Sequence, residues 1–364
     1  MTKKIKAVFI SESIRRDSHA PLKYFKDIDA IHLYLNAPYG DMKQEDLQGS
    51  RQVKIENLKD EIVKEKPDVI QGAEPFGSKL SLRLSYISLQ AAKKTKARLV
   101  VPILENRPIA ERFNLVQRSV LRAFCPGYFK FASAIIILNK GAERNVRAYA
   151  KSAKMVKDIV WGVWGVDTDL FKPVAKKIPY LMIYAGRWVE EKGLKYMLEG
   201  LKIASGKFPK IKLQLLGQGP FGKIMREYAK ENNLTDNIEF VGMKKNADLP
   251  KYFAASELCI YPSITQKRWE EQVGTVNFQA MACGTPVVTT KSGAIPEYLR
   301  GGVGAFLVRE RDGREIGEAI IKYFSDDKLK SRMQKEAREY IMRFDVKSEI
   351  AKAEELFKKL VNEK

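Results

Sequence analysis

Cysteine and histidine are scarce in this 364-residue chain: Cys125, Cys259 and Cys283 show no CxxC spacing, and His19 and His32 are the only imidazoles. So small and scattered a set argues against a disulfide framework and against a Cys/His zinc site. Long apolar runs are also missing. None approaches the roughly 18 to 20 residues that a membrane-spanning helix needs, and Met1-Thr2-Lys3-Lys4 leads straight into the strand-like IKAVFI instead of a signal-peptide core. The expectation is a cytoplasmic protein. Acidic residues are in deficit: 44 Asp and Glu stand against 65 Lys and Arg, a formal net charge of +21. That balance suits nucleic acid, an anionic membrane face or a phosphate-bearing substrate. The cations are nevertheless spread in pairs and at helix ends. The densest run, KKTKAR at 93–98, closes a helical stretch, where cations meet the negative end of the helix dipole. No aromatics interleave with it, so nucleic acid is not the expected partner.

What is present is core material, 45% hydrophobic and 10% aromatic, in a chain long enough for two domains. The first half alternates β-type runs with helical patterns: KIKAVFI, AIHLYL, the helix ENLKDEIVKEK, PDVIQG, the helix SKLSLRLSYISLQAAKK, RLVVPIL, one long helical stretch over 111–131, SAIIIL and KDIVWGV. Strands alternating with helices predict parallel sheets covered on both faces. Around GVDTDLFKPVAKKIP the pattern breaks, and the alternation then restarts with YLMIYAG, IKLQLLG, IEFVGM, ELCIYPS, PVVTT and AFLV. Two doubly wound α/β domains are expected, with ligands beyond the carboxyl ends of the strands and a cleft between the domains as the default site.

Several stretches carry chemistry. YLMIYAG ends in Gly186-Arg187, and Lys192-Gly193 opens the next helix. Such a turn exposes helix-start amides and adds two cations, which either neutralise a diphosphate or simply decorate the surface. LLGQGPFG at 215–222, containing Gly219, repeats the glycine-rich strand-to-helix form. In EEQVGTVNFQAMACGTPVVTT at 270–290, Gly274 precedes a helix of about ten residues that closes on Gly284, so Glu271, Gly274 and Thr275 lie at its positive end. Gln279 is either a ligand group or an ordinary polar residue on a packing helix. DTD at 167–169 reads as a turn or cap, not a metal site. The segment 111–131 mixes Arg112, Arg118, Arg122 and Lys130 with Phe113, Phe124, Tyr128 and Phe129. Core packing is the preferred reading there, and peripheral contact with an anionic membrane face is the alternative.

These residues together resemble a family-4 retaining glycosyltransferase of the GT-B fold, within the glycosyl transferases group 1. The segments that carry the resemblance are GVDTDLFKP at 165–173, AGRWVEEKGLKYMLEGL at 185–201, LLGQGP at 215–220, IEFVGM at 238–243, YPS at 261–263, MACGTPVVTTKSGAIPEYL at 281–299 and GAFLV at 304–308. The resemblance implies two Rossmann-like domains: 1–168 on the acceptor side, joined by a closing helix over 346–364, and 169–345 holding a nucleotide-sugar donor. It implies hexosyl transfer to a hydroxyl acceptor with retention, without a metal or a cofactor beyond the donor, in carbohydrate or glycan biosynthesis. Arg187 and Lys192 would hold the diphosphate, with Gly186, Gly219, Gly274 and Thr275 lining its site. Glu271 matches the first acid of the E-x7-E motif, beside the transferred sugar. The second acid is replaced by Gln279, which would face the donor ribose, so a nucleotide-sugar-binding protein without turnover is the alternative. SESIRRDSHA lacks the family's glycine-rich loop and PDVIQGAEP its histidine, leaving His19 and Glu74 as acceptor-side candidates.

Overall fold

Parallel pairing runs through both sheets of the computed structural model, which describes residues 4–38, 42 and 44–363. The lead-in Met1-Thr2-Lys3 lies outside them. Contacts divide the chain into two units, Met1–Gly165 with Val346–Lys364, and Val166–Asp345. The start of the second unit is fastened to its own end. Val166 N–H donates to the Phe344 carbonyl at 2.9 Å, and Thr168 Oγ1 donates to the Asp345 carboxylate at 2.5 Å.

The first unit holds β1 (Ile5–Ser13), β2 (Ile28–Asn36), β3 (Ser50–Gln52), β4 (Val69–Gln71), β5 (Arg98–Ile103), β6 (Ala134–Ile137) and β7 (Met155–Val156), in the order β3-β2-β1-β4-β5-β6-β7. The second holds β8 (Leu181–Ala185), β9 (Lys212–Leu216), β10 (Ile238–Gly242), β11 (Leu258–Tyr261), β12 (Val287–Thr290) and β13 (Ala305–Val308), in the order β10-β9-β8-β11-β12-β13. In each sheet the chain lays its first strand in the middle, adds the next two on one side, then crosses to the other. The crossing leaves a crevice at the carboxyl ends of β1 and β4, and of β8 and β11, where the connections diverge. Strands such as LMIYA, LCIY and VVTT are buried throughout, as a sheet covered on both faces requires.

The closing helix, Val346–Asn362, packs on the first unit: Phe357 lies 6.1 Å from Phe9 and 5.7 Å from Trp161, centroid to centroid. Two of its acids are buried in hydrogen bonds. Glu349 accepts from Val160 N–H at 2.7 Å and from Lys352, and Glu354 accepts from the amides of Lys26 and Asp27.

Three expectations need correction. KDIVWGV is not a strand; the last strand of the first sheet is Met155–Val156, and Trp161 and Trp164 turn inward to pack against each other, tilted by 47° at 4.6 Å. The stretch 111–131 is two helices, Ile109–Arg112 and Leu115–Phe131, divided where Asn114 and Gln117 cap each other's amides. Ser50–Gln52 adds a strand too short to show a periodicity.

Candidate active site

The crevice between β8 and β11 gathers several buried polar side chains of the second unit. Beyond β8 the chain passes Gly186 and Arg187, makes one 3₁₀ turn, Glu190–Lys192, and enters the helix Leu194–Lys207 through Gly193 at φ +66°. A Cβ on Gly193 would lie 1.9 Å from the Pro262 carbonyl oxygen, so only glycine lets this turn press against the end of β11. That approach buries Lys192. Its ammonium donates to the Tyr261 hydroxyl at 2.8 Å and to Glu271 Oε1 at 2.5 Å, and both ion-pair side chains are about one-tenth exposed, at 10% and 9%. The same Oε1 accepts from Tyr261 at 2.8 Å and from Ser263 Oγ at 2.7 Å. The Trp269 ring covers the ammonium at 4.5 Å. Burial first, and then the Glu271 carboxylate, pushes the Tyr261 and Tyr184 hydroxyls well above their usual range, so both remain protonated donors. Tyr184 spends its hydrogen on the Arg187 carbonyl at 2.7 Å and so fixes the turn.

The two cations of that turn part company. Lys192 faces inward, whereas Arg187, 56% exposed, pairs with Glu191 at 3.3 Å on the same turn. Gly219 lies in the loop after β9, which runs against the first: Trp188 N–H donates to the Gln218 carbonyl at 2.8 Å and Phe221 N–H to the Trp188 carbonyl at 3.0 Å. A Cβ on Gly219 would stand 2.3 Å from that Trp188 oxygen.

Gly274, at φ +79°, opens the helix Thr275–Ala282 with no side-chain cap, which leaves the first amides without an intrahelical acceptor. The helix closes as read from the sequence. Thr285 N–H returns to the Ala280 carbonyl and Gly284 N–H to that of Met281, with Gly284 left-handed at φ +69°. Asn277, Phe278, Ala280, Met281 and Ala282 are buried, while Thr275 and Gln279, one turn apart, share the half-exposed face. The Gln279 amide makes no hydrogen bond to the described residues.

Elsewhere, Asp167 Oδ1 accepts from the amides of Asp169 and Leu170, making DTD a capped turn. In the first unit, His19 and Glu74 follow β1 and β4, the strands that flank its crevice. His19 Nε2 meets the Gln48 carbonyl at 2.8 Å. Glu74 takes the amides of Leu104 at 3.1 Å and Glu105 at 2.7 Å. Burial pushes its carboxyl up to about 8, the Glu105 carboxylate adding to the rise and the two amides and Arg112 opposing it. Tyr261, Ser263 and Trp269 were not singled out for side-chain roles; the signal for the first two is that YPS ends an apolar strand at the point where the connections diverge, and Trp269 has no such signal.

Residues 166–340 match the model of the family described as Glycosyl transferases group 1. That span is the unit carrying the Lys192–Glu271 cluster. Among curated proteins, the chain is 27% identical over 197 residues to the uncharacterized glycosyltransferase MJ1059 of Methanocaldococcus jannaschii, covering 51% of this chain and 47% of that one. It is 30% identical over 130 residues to the N-acetyl-alpha-D-glucosaminyl L-malate synthase of Bacillus anthracis, covering 36% and 32%. The chain thus spans less than half the length of these relatives. Among solved structures, Anabaena Alr3699/HepE in complex with UDP superposes with a TM-score of 0.78 at 18% identity, over 98% of this chain and all of that one. Sucrose-phosphate synthase from Thermosynechococcus elongatus gives 0.73 at 18%, over 98% and 99%. These likenesses show the fold: GT-B, built from two Rossmann-like domains.

Proposed function

We propose that the protein is a glycosyltransferase that moves a hexose from a nucleoside diphosphate sugar to a hydroxyl acceptor, with retention at the anomeric carbon and without a metal, in carbohydrate or glycan biosynthesis. The observation that carries this reading is the buried Lys192–Glu271 pair, at the carboxyl ends of β8 and β11, in the unit that matches the group 1 model. In this reading Lys192 is shared between Glu271 and the donor diphosphate. Arg187, held only by an exposed pair of the kind worth little in water, turns to the same phosphates. The amides at Gly274 and Thr275 complete the anion site, and Gly186 and Gly219 allow backbone to approach it. As the bond from the anomeric carbon to the phosphate oxygen breaks, its electron pair leaves with the diphosphate, where these cations stabilise it. The acceptor oxygen bonds to the same face of the sugar and its proton passes to the departing phosphate oxygen. Glu271 stands beside the transferred sugar, Gln279 beside the ribose, and the acceptor belongs to the first unit, where His19 and Glu74 are its candidates.

The test is turnover. Wild-type protein incubated with UDP-, GDP- and ADP-sugars is expected to release the diphosphate slowly from one of them, in EDTA as well as in buffer, and with methanol as a surrogate acceptor to form the methyl glycoside with the donor's anomeric configuration by NMR. Lys192→Ala and Glu271→Ala should lower that rate on the order of 100-fold or more. A rate that survives both substitutions would refute the assignment, and tight binding with no turnover would leave the protein a nucleotide-sugar binder.

A further inference from the structure

The Leu115–Phe131 helix is split by environment. Leu121, Cys125, Tyr128 and Phe129 are buried in the first unit, as core packing requires, but Leu115 is 73% exposed, Val116 74% and Val120 48%. These aliphatic side chains occupy the first two turns of one helix face. Beside it lies the Lys79–Thr95 helix: Tyr86 meets Phe124 at 6.4 Å and Lys93 stands over Phe131 at 5.7 Å. Contacts seven residues apart on both helices run them side by side in the same direction, which brings Arg83 abreast of Val120. Neither 17-residue helix contains a single Asp or Glu, in a chain that has 44. They carry four and three cations instead; Arg83 and Arg122 are exposed beside the aliphatic patch, and Lys130 is exposed in the last turn of the same helix.

We infer that this face docks on an anionic lipid bilayer, with Leu115, Val116 and Val120 entering the headgroup region and Arg83, Arg122 and Lys130 meeting lipid phosphates. Charge complementarity selects an anionic partner, and the aliphatic side chains select lipid among anionic partners. Nucleic acid offers phosphates but nothing to cover Leu115 and Val116, and the two exposed aromatics of these helices, Tyr86 and Phe131, lie against Phe124 and Lys93 instead of forming a row beside those aliphatic side chains. At a bilayer both halves contribute: apolar side chains leave water, and each cation near an anionic surface adds to the attraction. No described helix is long and apolar enough to cross a membrane, so the contact is one of surface binding.

The experiment is flotation of the full chain with vesicles of phosphatidylcholine alone or mixed with phosphatidylglycerol. Wild type should float with the anionic vesicles and dissociate as salt rises. Leu115→Gln with Val116→Gln should weaken partitioning on the order of tenfold or more while keeping its salt dependence. Arg83→Gln, Arg122→Gln and Lys130→Gln together should weaken it on the order of a hundredfold and abolish the preference for anionic lipid. All these side chains are exposed, so both variants should melt with wild type, which separates docking from misfolding. Failure to float with anionic vesicles, or equal flotation of all three proteins, would overturn the inference. So would binding that follows the cations alone and is competed by RNA, or a dimer in solution that the Leu115/Val116 substitutions dissolve.

Discussion

Glu271 Oε1 receives hydrogen bonds from Lys192, Tyr261 and Ser263, and this crowding sets what each residue is worth. Removing the carboxylate would strand a buried ammonium, so Glu271→Ala should cost about 3 to 5 kcal/mol of stability. Adding Lys192→Met should recover much of that loss, because the stranded charge goes with it. Denaturant unfolding of the two single variants and the double measures the coupling, and additive losses would mean that the pair is not buried as described. Gln279 poses the complementary test. Its amide makes no hydrogen bond to the described residues and shares a half-exposed face with Thr275; on the proposed reading, Gln279→Glu should tighten donor binding by about 1 kcal/mol through a charge-assisted hydrogen bond to the ribose. Unchanged affinity would mean that residue 279 does not face the ribose. The sequence singles out Lys192, Glu271 and Gln279 as candidates. Their arrangement was not legible there: Lys192 and Glu271 are 79 residues apart, and only the adjacency of β8 and β11 joins them. The same spacing rules put Arg187 beside Lys192, yet one cation turned inward and the other to solvent, a choice made by the close approach at Gly193.

Among the elements, long amphipathic helices and fully apolar strands were readable, and failures came where local chemistry overrode the pattern. The basic-aromatic periodicity of 111–131 masked the reciprocal cap of Asn114 and Gln117, a signal four residues long inside a run of twenty-one. KDIVWGV has the composition of a strand, but its one tryptophan, Trp161, joins an aromatic cluster with Phe9 and Phe357 instead of a ladder. The connection after β4 makes a prediction of its own. Glu74 braces the end of β5 through two amides, with Glu105 and Arg112 as its charged neighbours, and burial holds its carboxyl up at about 8, above the ordinary 4.5 of a glutamate. Between these values the folded chain keeps a proton that the unfolded chain has released, so stability falls as pH rises through that window and levels off above it. Thermal unfolding from pH 5 to 9 should show that decline, and Glu74→Gln should flatten it. A decline that persists unchanged in the variant would place its origin elsewhere.

At the scale of the whole molecule, the alternation of strands and helices announced two α/β units, but no sequence pattern states the order in which strands lie. That order creates the crevices. The net charge of +21 was legible too, though not its unevenness, since the absence of acids from Lys79–Thr95 and Leu115–Phe131 matters only because the fold sets those helices side by side. The central claim is that the Lys192–Glu271 crevice holds a nucleoside diphosphate. Calorimetric titration of UDP, GDP and ADP tests it most directly. One of the three should bind once per chain, and Lys192→Met should weaken it about tenfold or more through loss of a charge-assisted contact to phosphate. No binding of any of the three, or the same affinity in wild type and variant, would contradict the account.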